Sequence, residues 1–184
     1  MIYFTSDWHI GHDKTFLYGK RGFQDIYTHD TMILKNCNAI VKPEDELYIL
    51  GDLALGNDES EWNRIFYNLN CNHIHFIQGN HDTDTKVDKY TDKYLFEYHG
   101  YVDIIKYSKN KRFYLSHFPT VTDNYDNEKR LHIINLYGHT HQMTNFFNHN
   151  PYMYHVGVDS HNMTPVSIEQ IIKDIKKEVE KHEE

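Results

Sequence analysis

Only two cysteines occur in the 184 residues, Cys37 and Cys71, and their spacing suits neither a metal knot nor a redox pair. That scarcity points to a reduced, cytoplasmic setting, with both thiols as ordinary buried residues. No run approaches the ~18 consecutive apolar residues of a membrane span. The opening Met1-Ile2-Tyr3-Phe4-Thr5-Ser6-Asp7 lacks the basic segment and cleavage site of a signal peptide. Positive charge is also short: 19 Lys and Arg stand against 27 Asp and Glu, a formal net charge of −8. A broad nucleic-acid-binding surface needs a positive field and is not expected. A nucleotide substrate stays compatible, because bound cations reverse the sign inside a site. No repeat, low-complexity tract or Pro/Gly-rich linker divides the chain, so one domain over residues 1–184 is expected.

What the chain does have is a globular composition, 39% hydrophobic and 15% aromatic. Short apolar runs alternate with helical patterns, which predicts an α/β fold. The strand candidates are Met1–Thr5, Glu46–Leu50, Ile74–Ile77, Tyr101–Tyr107, Arg112–Leu115, His132–Tyr137 and Tyr152–Val158. Trp62, Ile65, Phe66 and Leu69 repeat at i, i+3, i+4 and i+7, one face of a helix. Met32, Leu34, Cys37, Ile40 and Val41 suggest another before Pro43, with a looser period. A C-terminal helix is predicted from Ser167 to about Lys181, with Ile168, Ile171, Ile172, Ile175 and Val179 inward.

Histidine is unusually frequent, 15 residues, and is the commonest metal ligand. Most of the fifteen carry no positional signal, and surplus ones such as His29, His73, His99 and His149 receive no role. The others follow strands. Asp7 and His9 come after the first, Asp52 after the second, and Asn80-His81-Asp82 after the third. His117 follows the run ending at Leu115, and His139 and His141 follow the run ending at Tyr137. Ligands of open α/β sheets bind beyond the carboxyl ends of strands, so five loops would converge if these strands are neighbours.

Asp7 and His9 are two apart, as are His139 and His141, and either pair can aim at one point. Two carboxylates, one amide oxygen and several imidazoles are too many donors for one four-coordinate ion. They suit two divalent ions in mixed N/O coordination, such as manganese, iron, zinc or nickel. Each fragment alone is weak; the ordered series Asp-x-His, Gly-Asp, Gly-Asn-His-Asp, His, Gly-His-x-His is strong.

That series, from Asp7 to His141, resembles the calcineurin-like metallophosphoesterase superfamily. The resemblance implies a sandwich of two mixed β-sheets flanked by helices. It further implies that Asp7, His9 and His141 hold one ion, that Asn80, His117 and His139 hold the other, and that Asp52 bridges them. A hydroxide between the ions would attack phosphorus, and His81 would contact the leaving group as the acid. Protein phosphatases of the superfamily carry Gly-Asp-x-x-Asp-Arg-Gly, whereas here Leu55 stands at the second aspartate. The chain is therefore more similar to short bacterial and phage phosphoesterases without a cap domain. Gly157-Val158-Asp159-Ser160 also resembles that group, and Asp159, outside the metal motifs, reads as a loop or capping residue.

For the substrate, a locally basic segment follows His9, with His12, Lys14, Lys20 and Arg21 among glycines. Arginine can fork onto phosphate oxygens, so Arg21 and His12 are the candidate phosphate contacts, against the alternative of a solvated loop. The stretch Pro119–Arg130 is a candidate opposite wall. The expected activity is hydrolysis of a phosphate monoester or diester. The rivals are a catalytically silent metal-binding interaction module of the same fold and a histidine-rich metal store.

Overall fold

A computed structural model describes residues 1–56, 58–122 and 132–183. The first sheet has the order β4-β3-β2-β1-β9, built from β1 (Ile2–Thr5), β2 (Glu46–Leu50), β3 (His73–Ile77), β4 (Glu97–Tyr98) and β9 (Val166–Ser167). The pairs β1–β2, β2–β3 and β3–β4 are parallel, and β9 runs antiparallel along β1. The second sheet has the order β5-β6-β7-β8, from β5 (Val102–Ser108), β6 (Lys111–Ser116), β7 (His132–Tyr137) and β8 (Met153–His155). Here β5–β6 is antiparallel and β6–β7–β8 is parallel, so both sheets are mixed, as expected.

Alternation sorts the side chains into two cores. Leu47 and Ile49 of β2, with Ile74 and Phe76 of β3, face a helical layer. Tyr48, Leu50 and Ile77 face the second sheet, where Phe4 meets Phe113 edge-on with 5.9 Å between ring centroids. Strands buried on both faces read as continuous apolar runs, which is why β2 was legible.

The helical layer holds α2 (Ile26–Ile40), α3 (Glu59–Phe66) and α4 (Asp84–Tyr94), after a single turn, α1 (Thr15–Tyr18). Asp25 caps α2, its carboxylate accepting from the Thr28 N–H at 2.7 Å. The inward face of α2 is His29, Asp30, Ile33 and Cys37. Two polar residues on that face explain the loose apolar period. In α3, Trp62, Ile65 and Phe66 are buried as expected, and Leu69 lies beyond the helix end. The C-terminal α5 (Ile168–Glu183) buries Ile171 and Ile175 against the second core.

Four elements depart from expectation. The β8 strand stops at His155 rather than Val158, because a helical turn begins at Val158. The α4 helix has a largely polar sequence, with Val87 and Tyr90 as its buried apolar contacts. The strands β4 and β9 are two residues long, too short for any period. No helix among the described residues is long and apolar enough to cross a membrane.

Candidate metal centre

The carboxyl ends of β1, β2 and β3 are neighbours in one sheet, and those of β6 and β7 are neighbours in the other. The loop after β1 runs beside the loop after β2. Asp7 N–H donates to Gly51 O at 3.1 Å, His9 to Asp52 O at 3.0 Å, and Ile10 to Leu53 O at 3.0 Å. Ser6 Oγ donates to Leu50 O at 2.6 Å. Asp7, His9, Asp52, His139 and His141 all have φ between 48° and 66°. The left-handed region costs an ordinary L-residue about 1–2 kcal/mol. Such strain at five of the seven expected ligands marks a site held for use rather than for stability.

Two glycines make the approach possible. A Cβ on Gly138 would fall on Ser6 Oγ and the Asp7 carboxylate, and one on Gly51 would meet Gly79 Cα and His117 Nδ1 at 2.6 Å. The Gly in Gly-Asp and Gly-His-x-His is thus a steric requirement of convergence.

The structure brings all seven donors together. His9 Nε2 lies 3.2 Å from His141 Nε2, and each is 3.9 Å from Asp7 Oδ1. Asn80 Oδ1 is 2.9 Å from both His117 Nε2 and His139 Nδ1. Asp52 Oδ2 sits between these sets, 3.8 Å from His9 Nε2 and 3.4 Å from His117 Nε2. Donor atoms of Asp7, His9 and His141, and of Asp7, Asp52 and His117, form two groups compact enough for a cation. Imidazole nitrogens converging on shared oxygens at these separations fit mixed N/O coordination.

Asp7, His9, Asp52 and His117 form a buried floor, while Asn80, His81, His139 and His141 form an open rim. Burial pulls the His117 imidazole down, but its bond to Asp52 and the Asp7 and Asp52 charges carry it up to about 9. Burial works against the Asp52 carboxylate, yet His117 holds it at about 2. Burial raises Asp7. The Asp52 carboxylate thus favours a proton on His117, which an incoming cation would displace, while burial lowers His9.

The supporting contacts are equally specific. The Nδ1 of His117 is 2.8 Å from Leu50 O, which leaves Nε2 for a metal. Asp82 accepts from the N–H groups of Asp52 at 2.6 Å, Leu53 at 3.2 Å and Gly79 at 3.0 Å, locking two ligand loops together. The His81 N–H donates to Asp52 Oδ1 at 2.9 Å and its carbonyl accepts from Lys86 Nζ at 3.0 Å, while its ring stays exposed. His81 Nε2 is 3.9 Å from Asp52 Oδ2.

Two readings of the sequence need correction. Arg21 does not face the open side as a phosphate contact. Its side chain is 4% exposed and forks onto Asp159, Nε to Oδ1 at 2.8 Å and a terminal nitrogen to Oδ2 at 2.7 Å. Asp159, in turn, is more than a loop or capping residue: its Oδ2 holds His141 Nδ1 at 2.8 Å. The chain continues inward, with Arg21 donating to Asp7 O at 2.9 Å and to His29 Nε2 at 2.9 Å. His29 Nδ1 then donates to Asp30 at 2.7 Å, and Asp30 accepts the Gly11 N–H at 2.8 Å. Although burial opposes it, His141 and Arg21 hold the Asp159 carboxyl far below the usual range. No strand-end pattern pointed to Asp159, His29 or Asp30. His12 is half-buried, its ring 5.8 Å from His9 and 5.5 Å from the exposed Phe16. Of the Pro119–Arg130 wall, positions 123–130 lie outside the described residues.

The profile of the Calcineurin-like phosphoesterase family matches residues 1–183. The chain belongs to that family. Among curated proteins it is similar to an uncharacterised protein of Methanocaldococcus jannaschii, 32% identical over 183 residues, 96% of this chain and 92% of the relative. It is also similar to the Gene 66 protein of a Mycobacterium phage, 28% identical across 95% of this chain and 96% of that protein. Among solved structures, a protein of unknown function from Aquifex aeolicus superposes with a TM-score of 0.69 at 26% identity, covering 94% of this chain and 98% of that one. In this calcineurin-like phosphoesterase, Leu55 lines a groove of about 620 Å³ beside the rim, together with Trp62, Asn80, His81 and Lys86.

Proposed function

We propose that the protein hydrolyses phosphate monoesters or diesters at a centre of two divalent transition ions, manganese, iron, zinc or nickel. The observation that carries this reading is the position of Asp52 Oδ2 between His9 and His117, the point from which one carboxylate reaches both donor sets. In this reading Asp7, His9 and His141 hold one ion, Asn80, His117 and His139 hold the other, and Asp52 contacts both. Two bound cations would neutralise the phosphoryl oxygens and activate the attacking water at neutral pH. The protein's own groups do the rest: the buried floor fixes the ligands, and the open rim admits the ester.

His81 is assigned as the acid that protonates the leaving oxygen. Its backbone is held at both N–H and C=O while its ring is free to meet a substrate. An acid matters most for a poor leaving group. His81→Ala is therefore expected to slow alkyl phosphate esters far more than nitrophenyl ones, with metal content unchanged. Equal losses on both would instead indicate positioning.

Elemental analysis after loading is expected to find one ion fewer per chain in Asn80→Ala than in the wild type. Unchanged content would remove the two-ion reading. The substrate is assigned only by class. Exposed Phe118, 4.8 Å from the His139 ring, and exposed Phe16 beside His12 offer flat apolar faces at the rim, suited to an ester carrying an aromatic group such as a nucleotide. A panel of phosphate monoesters and diesters, nucleotides included, tested on metal-loaded protein decides the matter. No turnover on any ester with the ions bound would favour the silent binding module.

A further inference from the structure

A second group of histidines lies away from this centre, at the β4 edge of the first sheet. The parallel register pairs His75 of β3 with Glu97 of β4. His99 is two residues past Glu97, and its N–H donates to Phe76 O at 3.0 Å, which keeps it beside β3. His75 Nδ1 lies 3.0 Å from His99 Nε2 and 3.4 Å from Glu97 Oε2, and His99 Nε2 lies 3.7 Å from Glu97 Oε1.

We infer that His75 Nδ1, His99 Nε2 and the Glu97 carboxylate form a further cation site, suited to zinc, with a fourth position open to water. Tetrahedral zinc with bonds of about 2.0–2.1 Å sets its donor atoms about 3.3 Å apart. The two nitrogens are 3.0 Å apart, Glu97 brings Oε2 to 3.4 Å from His75 and Oε1 to 3.7 Å from His99, and one donor atom from each residue lies within 4.8 Å of the other two. Two imidazoles and one carboxylate are also a donor set that zinc accepts.

The nitrogens left over each have a carboxylate nearby. His99 Nδ1 is 3.2 Å from Asp103 Oδ2, and His75 Nε2 is 3.8 Å from Glu46 Oε2. Negative charge at these distances raises the basicity of both rings and favours a bound cation. Tyr48 stacks on His75 with 4.3 Å between ring centroids, covering its other side. The His75 and His99 side chains are 13% and 21% exposed, so the rings are largely enclosed, while Glu97 reaches solvent at 67%. Entry is open without any rearrangement.

The location suggests what the ion does. Asp103 belongs to β5, the edge of the second sheet, and the chain passes from one sheet to the other between Glu97 and Asp103. An ion bound here ties β3, β4 and the start of the crossing segment together. It binds the folded chain only, and so it stabilises the fold by mass action. The site shares no residue with the central donor set and does not depend on the activity proposed above.

Equilibrium dialysis of the full chain against zinc, followed by elemental analysis, tests this. The double variant His75→Gln, His99→Gln is expected to bind one zinc fewer than the wild type. Asp52→Asn and Asn80→Ala, which alter the central site, are expected to leave that ion in place. Glu97→Gln, at an exposed position that should not disturb folding, is expected to weaken the same ion by at least about tenfold. Its hydrolysis of nitrophenyl esters should be unchanged. Zinc should also raise the melting temperature of the Asn80→Ala protein, and by less once His75→Gln and His99→Gln are added. Equal zinc content in the wild type and the double variant would overturn the assignment. Should the double variant fail to fold, unchanged zinc affinity in Glu97→Gln overturns it alone.

Discussion

Asp52→Asn is expected to reduce ester hydrolysis by about 10³-fold or more, roughly 4 kcal/mol of transition-state stabilisation. Asp52 Oδ1 already accepts the His81 N–H, and the carbonyl oxygen of asparagine can keep that bond. The other oxygen, Oδ2, is the atom lying 3.8 Å from His9 Nε2 and 3.4 Å from His117 Nε2. Asparagine would put an NH₂ group there, which has no lone pair for a cation and no charge to set against two. The volume is nearly unchanged, so the fold should persist by circular dichroism and melting temperature. Hydrolysis of bis(p-nitrophenyl) phosphate is the readout. Activity within about tenfold of wild type would remove Asp52 from the bridging position.

Arg21→Ala should act on the fold and the metal, not on substrate affinity alone. The Arg21 and Asp159 side chains are 4% and 9% exposed, and the variant leaves a buried carboxylate without its cation. Breaking a buried pair in this way costs about 3–5 kcal/mol. For a chain of this size that corresponds to a melting temperature lower by roughly 10 °C. Asp159 also orients His141 through Nδ1, so disturbing it should weaken the ion at His141 by about 10- to 100-fold. Arg21→Lys should recover part of the stability, since a point charge satisfies one carboxylate oxygen better than it replaces the fork. A normal melting curve and normal metal affinity in Arg21→Ala would show that the buried fork does not matter.

A basic segment between glycines in an acidic chain looks like a phosphate-binding loop. Charge pattern reports that a cation is nearby, but not which anion it meets. The nearest anion in the fold is Asp159, 138 residues away. Nothing local to either residue records that pairing.

The same division runs through the fold. The sequence by itself determined the strands buried on both faces, the α3 and α5 helices, and the ligand types at the strand ends. These are local: apolar period follows from helix or strand geometry, and donor chemistry from residue identity. Gly51 and Gly138 were legible as motif letters, but the reason for them, contact with His117 and with Ser6 and Asp7, required the assembled loops. The α2 face was blurred because His29 and Asp30 occupy core positions made tolerable by their bond to each other and by Arg21 and Gly11. His75 and His99 carried no positional signal, because β4 is two residues long and its pairing with β3 is what joins them to Glu97. Tertiary structure decided which polar groups meet, since long-range pairings between buried charges are set by chain packing and leave no period in the sequence.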